Sequence, residues 1–182
     1  LDTGLLYRAV ARAVLDAGQS LQNENAAVFV AQKLDFDALD ENRLRTREIG
    51  DAASVVSAYP GVRQALFEGQ RLFAQKKPGA VLDGRDIGTV ICPEAEAKLF
   101  ITASPEIRAH RRWLELVKLD PALSEESVLE DIRRRDERDS NRSNAPLKIA
   151  DDARLLDTSG MDIETASREA LRLIEARLTR KG

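Results

Sequence analysis

Apolar residues recur at helical spacing from the first turn of the chain onward. Leu6, Val10, Ala13 and Val14 follow Gly4 on one face, and Gly18 lies just beyond them, which predicts a helix over about residues 4 to 17. The same period predicts helices near 23 to 34, near 46 to 58 after Thr46, and from Pro60 to about Lys76, proline being acceptable in a first helical turn. Two short apolar runs, 80–82 and 97–102, are too short for helices and are bounded by glycine, proline or charge, so both are expected as buried strands. Ser104-Pro105-Glu106 and Ser124-Glu125-Glu126 read as helix starts, separated by a short break over 119–123. A last apolar run, 153–156, precedes a final helix with Ile163, Ala166, Ala170, Ile174 and Leu178 along one stripe. Buried strands alternating with long helices favour an α/β layer on a parallel sheet, with ligands collecting at the carboxyl ends of the strands. No internal repeat, linker or low-complexity segment interrupts the pattern.

Composition narrows this picture. A chain of 182 residues is expected to form one domain. Its charged share of 32% against 43% hydrophobic predicts a folded protein with a heavily ionic surface. A net charge of -3 argues against coating nucleic acid or an anionic membrane, so the arginines must act locally. An aromatic share of 4% speaks against base-stacking platforms as well. One cysteine, Cys92, and one histidine, His110, exclude a disulfide framework and a zinc site of ordinary spacing. Cys92, next to Pro93 and an apolar run, is expected to be packed, and His110 has no acidic neighbour in sequence to make it a general base. Without a membrane-length apolar run or a signal peptide, a soluble cytoplasmic protein is expected. The chain opens on Leu1 and its methionine is Met161, so a further segment upstream is expected.

The strongest candidate chemistry is Asp83-Gly84-Arg85-Asp86-Ile87-Gly88-Thr89, at the carboxyl end of the first expected strand. Two carboxylates and an arginine emerging from buried sequence are costly unless paired or liganded, which favours a site over a plain charged turn. An aspartyl-nucleophile phosphatase also puts acids after a strand, but with one residue between them, whereas two separate Asp83 from Asp86. A second cluster runs from Arg133 to Arg142. It reads either as a solvated face of weak ion pairs or as a ligand surface, since Arg135, Asp139 and Arg142 fall at i, i+4 and i+7 and are able to grip a ribose and a phosphate together. Tyr7, Arg8, Ser54, Arg63, Arg108, Arg111 and Arg112 are scattered candidates that each read singly as surface residues.

Taken in order, these pieces resemble bacterial cytidylate kinase, of the nucleoside monophosphate kinase family. The resemblance begins with Leu1-Asp2-Thr3-Gly4 and Tyr7-Arg8 and continues through Ser54 and Arg63 to Asp83-Gly84-Arg85-Asp86. It then takes in Arg135 to Arg142, Ala145-Pro146-Leu147 and Leu156-Asp157-Thr158-Ser159. It implies a P-loop nucleoside monophosphate kinase-like parallel sheet flanked by helices, in a single kinase domain with a CMP-binding part over about 20–78 and a short lid over about 108–123. The implied activity is phosphorylation of CMP, and of dCMP, by ATP with Mg2+, in a monomer with no nucleic-acid or membrane partner. By resemblance, Ser54, Arg63 and Asp86 face the cytosine edge, Arg8, Arg63 and Arg85 hold the CMP phosphate, and Thr3 and Tyr7 belong to the same substrate side. Arg135 and Asp139 would meet the ribose, and Arg142 the transferred phosphoryl group. Arg108, Arg111, Arg112 and Pro146 would serve ATP, with Arg111 and Arg112 also catalytic, and Asp83 would accept a magnesium-bound water. The family's first strand and its G-x-x-x-x-G-K-[ST] loop, which cradles donor phosphates, have no counterpart in the 182 residues, so both are expected to be absent from this chain. The alternative reading is a catalytically inactive CMP-binding fragment.

Many arginines and no catalytic histidine suit the implied chemistry. Transfer between two phosphates has a loose transition state and an acceptor already ionised, so positioning and charge neutralisation matter more than a base.

Overall fold

The computed structural model describes residues 1–141 and 147–179, and they divide into two compact units. The first is built on Leu1–Ile87 and the second on Gly88–Asn141 with residues 147–179.

The first unit is helical, and its helices begin where side chains satisfy the open N–H groups. Helix α1 (Thr3–Asp16) starts where the Asp2 carboxylate accepts the Gly4 N–H, and it ends at Gly18, whose φ of 65° is the left-handed conformation that closes many helices. Helix α2 (Glu24–Gln32) is capped by Asn23, and a single turn, α3 (Glu41–Leu44), by Asp40. Helix α4 (Arg47–Val56) is capped by the expected Thr46, whose hydroxyl accepts from the Ile49 N–H at 3.2 Å. Helix α5 (Pro60–Ala74) opens on Pro60, also as expected. The short α3 had no periodic signal, because one turn is too short to show a period. Leu6, Val10 and Val14 of α1, Ala27 and Ala31 of α2, Ala52, Ala53 and Val56 of α4, and Val62 and Leu66 of α5 make one apolar core. Leu5, Ala9, Leu44 and Ile49 form a second buried group beside it.

The expected strand at 80–82 is corrected by the structure. Val81 is 83% exposed, and this stretch makes one isolated parallel bridge, between Asp2 and Asp83, instead of a strand. The Leu1 nitrogen donates to Val81 O, Asp83 N–H to Leu1 O, and Thr3 N–H to Asp83 O. Pairing on one side over three residues gives the segment an extended form but not the flanking layers that bury a strand. A π-helical stretch, Ile87–Ile91, follows the Asp83–Asp86 loop.

In the second unit, β1 (Leu99–Thr102) pairs in parallel with β2 (Arg154–Asp157), Leu99 opposite Arg154 and Thr102 opposite Asp157. Both lie close to the expected runs, yet Ile101 is 59% exposed, so the expectation of a buried strand fails here too. Helix α6 (Pro105–Leu116) is capped by Ser104, and Ser124 caps the start of α7 (Glu125–Asn141), the Ser127 N–H reaching its hydroxyl at 3.2 Å. Ala109, Leu116 and Val128 pack between these two helices with Trp113, Leu123, Leu129 and Ile132. Helix α8 (Ile163–Leu178) is capped by Asp162, but none of its residues is buried and Ile163 is 86% exposed. Its apolar stripe is present in sequence without becoming core. Cys92 is buried, as expected.

Candidate functional site

In the first unit, the second turn of α1 and the loop after residue 82 supply most of the expected substrate residues. The Arg63 guanidinium, from the first turn of α5, donates from Nη2 to Asp86 Oδ2. The two side chains are only 10% and 7% exposed. Removing both charges from water is expensive, and such a pair rarely gains net stability over apolar side chains of the same size. It does hold two charged groups in one orientation. Arg63 also stands 5.6 Å from the centroid of the Tyr7 ring, within cation–π range. Its Nη1 donates to Ser57 O at 3.4 Å, at the C-terminal end of α4, where the helix dipole favours a cation. The last turn of α4 carries Ser54, whose buried hydroxyl has no hydrogen-bond partner among the described residues. A buried hydroxyl without a partner is uncommon in a folded protein.

Arg8 lies one residue from Tyr7 and is held differently. Its Nη1 donates to Leu44 O at 2.8 Å and to Thr46 O at 3.0 Å. Thr3 is buried, and its hydroxyl donates to Asp83 O at 2.7 Å, tying the start of α1 to the Asp83 loop. Arg85 is half-buried in that loop and Asp83 is exposed. The structure thus brings together Tyr7, Arg63 and Asp86, and separately Thr3 and Asp83.

In the second unit the expected residues lie on α6 and α7. Arg108 donates from Nη1 and Nη2 to both oxygens of Asp136, at 2.9 and 2.7 Å, and from Nε to Ala103 O. Arg111 spans the turn beyond β2, reaching Thr158 Oγ1, Thr158 O and Met161 O. Arg112 donates to the exposed Glu115 at 2.8 Å. Arg135 Nε and Asp139 Oδ2 stand 3.9 Å apart, one turn separated on α7, with Asp139 buried. Arg142 and Pro146 lie outside the described residues. His110, without an acidic neighbour in sequence, meets Glu125 at 3.2 Å across the α6–α7 turn.

Beyond the expected set, the Leu44 and Thr46 carbonyls that seat Arg8 escaped the sequence reading, since main-chain acceptors carry no residue signature. Among the described residues no group of three or more histidines, cysteines or carboxylates is placed to hold a metal ion. None of the described helices is long and apolar enough to cross a membrane.

Helices with a small parallel sheet make an α/β fold, and arginines seated against carboxylates and helix ends suit a phosphate-bearing ligand. Comparison with known proteins narrows this. A family profile described as cytidylate kinase matches residues 1–176. The cytidylate kinase of Afipia carboxidovorans is 58% identical over 181 residues, 99% of this chain and 87% of that protein. That of Azorhizobium caulinodans is 60% identical over 96% of this chain and 84% of its own length, and that of Rhodopseudomonas palustris TIE-1 57% identical over 97% and 83%. The chain belongs to the cytidylate kinase family, and it is a transferase. The phosphatase reading of the Asp83 loop is thereby excluded, and nothing in these matches supports the inactive-fragment alternative.

Proposed function

We propose that this enzyme moves the terminal phosphoryl group of ATP onto CMP, and onto dCMP, in pyrimidine nucleotide metabolism. The observation that carries the reading is the buried Arg63–Asp86 pair with the Ser54 hydroxyl, which has no partner among the described residues, on the neighbouring helix end. Asp86 spends one carboxylate oxygen on Arg63. Its carboxylate is suited to accept the 4-amino group of cytosine, while Ser54 and Arg63 supply the remaining edge contacts. Arg8, Arg63 and Arg85 neutralise the acceptor phosphate, with Thr3 and Tyr7 shaping the same pocket, and Arg135 and Asp139 take the ribose. Arg142 attends the transferred group.

On the donor side, Arg111, Arg112 and Arg108 of a lid over about 108–123, with Pro146, serve ATP. Arg112, paired with the exposed Glu115, is the lid arginine read as turning to phosphate. Arg108 and Arg111, committed to Asp136 and to main-chain carbonyls, serve mainly by fixing the helix that carries Arg112. One exposed carboxylate, Asp83, with no three-ligand cluster among the described residues, fits a magnesium ion held chiefly by water and substrate phosphates. Bound there, the ion would neutralise charge on the phosphates. The enzyme is read as a cytoplasmic monomer acting on small molecules and not on nucleic acid, in keeping with its net charge of -3.

The test is base choice, assayed on the protein as encoded with any segments that flank these residues. A carboxylate facing the 4-carbonyl of uracil is an acceptor opposite an acceptor, whereas an amide can turn to offer a donor. Asp86→Asn should therefore shrink the CMP-to-UMP ratio of kcat/KM by about ten-fold or more. An unchanged ratio would remove Asp86 from the base site.

A further inference from the structure

Helix α4 carries a glycine where nothing in its backbone asks for one. Gly50 is the fourth residue of the helix, buried, and its main-chain N–H completes a helical bond to Thr46 O at 3.1 Å. It does not have a positive φ. Glycine in a helix interior is destabilising relative to alanine, so its presence needs a packing cause. That cause is Arg8. A Cβ at Gly50 would lie 3.0 Å from Arg8 Nη2, 3.3 Å from Nη1 and 3.4 Å from Cζ, the three nearest atoms beyond its chain neighbours and its own helix backbone. The guanidinium therefore rests against the bare Cα. Its Nη1 is tethered at the same time by Leu44 O and Thr46 O, so three points on the α3–α4 corner set the direction and plane of the group.

We propose that Gly50 is a positioning residue for the acceptor phosphate, acting through Arg8. The inference rests on the reading of Arg8 as a phosphate ligand. A planar guanidinium gains its advantage over a point charge only when its plane is aimed, because its N–H groups pair with phosphate oxygens in a fixed fork. Gly50 and Ser54 are i and i+4, so one face of α4 serves both the arginine on the phosphate side and the hydroxyl on the base side. A simple need for close helix packing would put backbone or core atoms nearest the missing Cβ. Instead the nearest neighbour is the far end of a flexible side chain, which yields to a methyl group by moving away from its seat.

This gives Gly50→Ala two effects of opposite sign. Helix propensity should leave Tm unchanged or raise it by about 2–4 °C. The displaced guanidinium should raise KM for CMP about ten-fold, with KM for ATP unchanged. Arg8→Ala should also raise KM for CMP, and adding Gly50→Ala to it should raise it no further, because the group it displaces is gone. Gly50→Ala with the wild-type KM beside a damaged Arg8→Ala overturns the inference, and so does a full additional loss in the double variant. A fall in Tm of more than a few degrees overturns it too, since Gly50 would then be needed for packing. If Arg8→Ala itself binds CMP normally, the phosphate reading of Arg8 fails and takes this inference with it, a distinct result from an inert Gly50→Ala alone.

Discussion

Leu6, Val10, Val14, Val56, Val62 and Leu66 are completely sealed from solvent in the first unit, whereas the apolar cluster of the second amounts to Ala109, Leu116 and Val128. What the second unit has in their place is polar fastening. Arg108 joins α6 to Asp136 of α7, Arg111 ties α6 to the turn after β2, and Lys98 bridges to Asp152 and to Pro93 O. The first unit is thus held mainly by burial, which is neither screened by salt nor titrated, and the second to a greater degree by charge and hydrogen bonds, which respond to both. The difference also separates the candidate residues. In the first unit the charged pair Arg63–Asp86 is buried and costly, which points to function. In the second most charged pairs are partly exposed and inexpensive, which makes them staples.

The largest difference is expected when each kind of support is cut once. Leu66→Ala should cost about 2–5 kcal/mol by leaving a cavity in the first core, read from urea unfolding. Arg108→Met, which removes the bidentate pair but keeps most of the stem, should cost only about 1 kcal/mol, because both partners are near one-third exposed. Equal costs would mean that the staple bears as much of the fold as the core.

A smaller effect comes from acid. Asp157 is held below the usual carboxylate range by the Ser159 hydroxyl, Asp162 by the Thr165 N–H, Asp152 by Lys98, Glu169 by Arg172, and Glu106 by its own N–H and then Arg133. The first unit has Asp16, lowered by Arg12. A carboxylate with a lowered folded pKa adds stability above its unfolded value, near 4, and that contribution is lost as pH falls through the folded one. The second unit should therefore loosen first below about pH 4. Trp113, the only tryptophan, lies in the α6–α7 cluster with its indole N–H on Leu123 O, so its fluorescence reports that unit. The far-ultraviolet helix signal, to which both units contribute, should fall in two steps with the Trp113 emission following the one at higher pH, and a single coincident transition would contradict the contrast. The smallest effect is expected from Arg133→Ala. Its pair with Glu106 is exposed on both sides, so the loss in urea unfolding should stay within about 0.5 kcal/mol.

What the sequence determined by itself was the local and the serial. Thr46, Pro60, Ser104, Pro105 and Ser124 mark helix starts because a cap needs only its own neighbours, and Gly18 marks an end for the same reason. The family was legible because its motifs keep their order along the chain, whatever their contacts. Burial was not legible. The runs at 80–82 and 97–102 and the stripe on α8 have the apolar content of core, and only the arrangement of layers decides whether such residues are covered. Nor were the partners of the arginines. Arg63 finds Asp86 across 23 residues, Arg8 finds two carbonyls and a bare Cα, and Arg108 and Arg111 turn to a carboxylate and to main-chain oxygens. An arginine has the same composition whether it grips a ligand, a helix end or a neighbouring aspartate, and the choice depends on what the fold brings within hydrogen-bond reach.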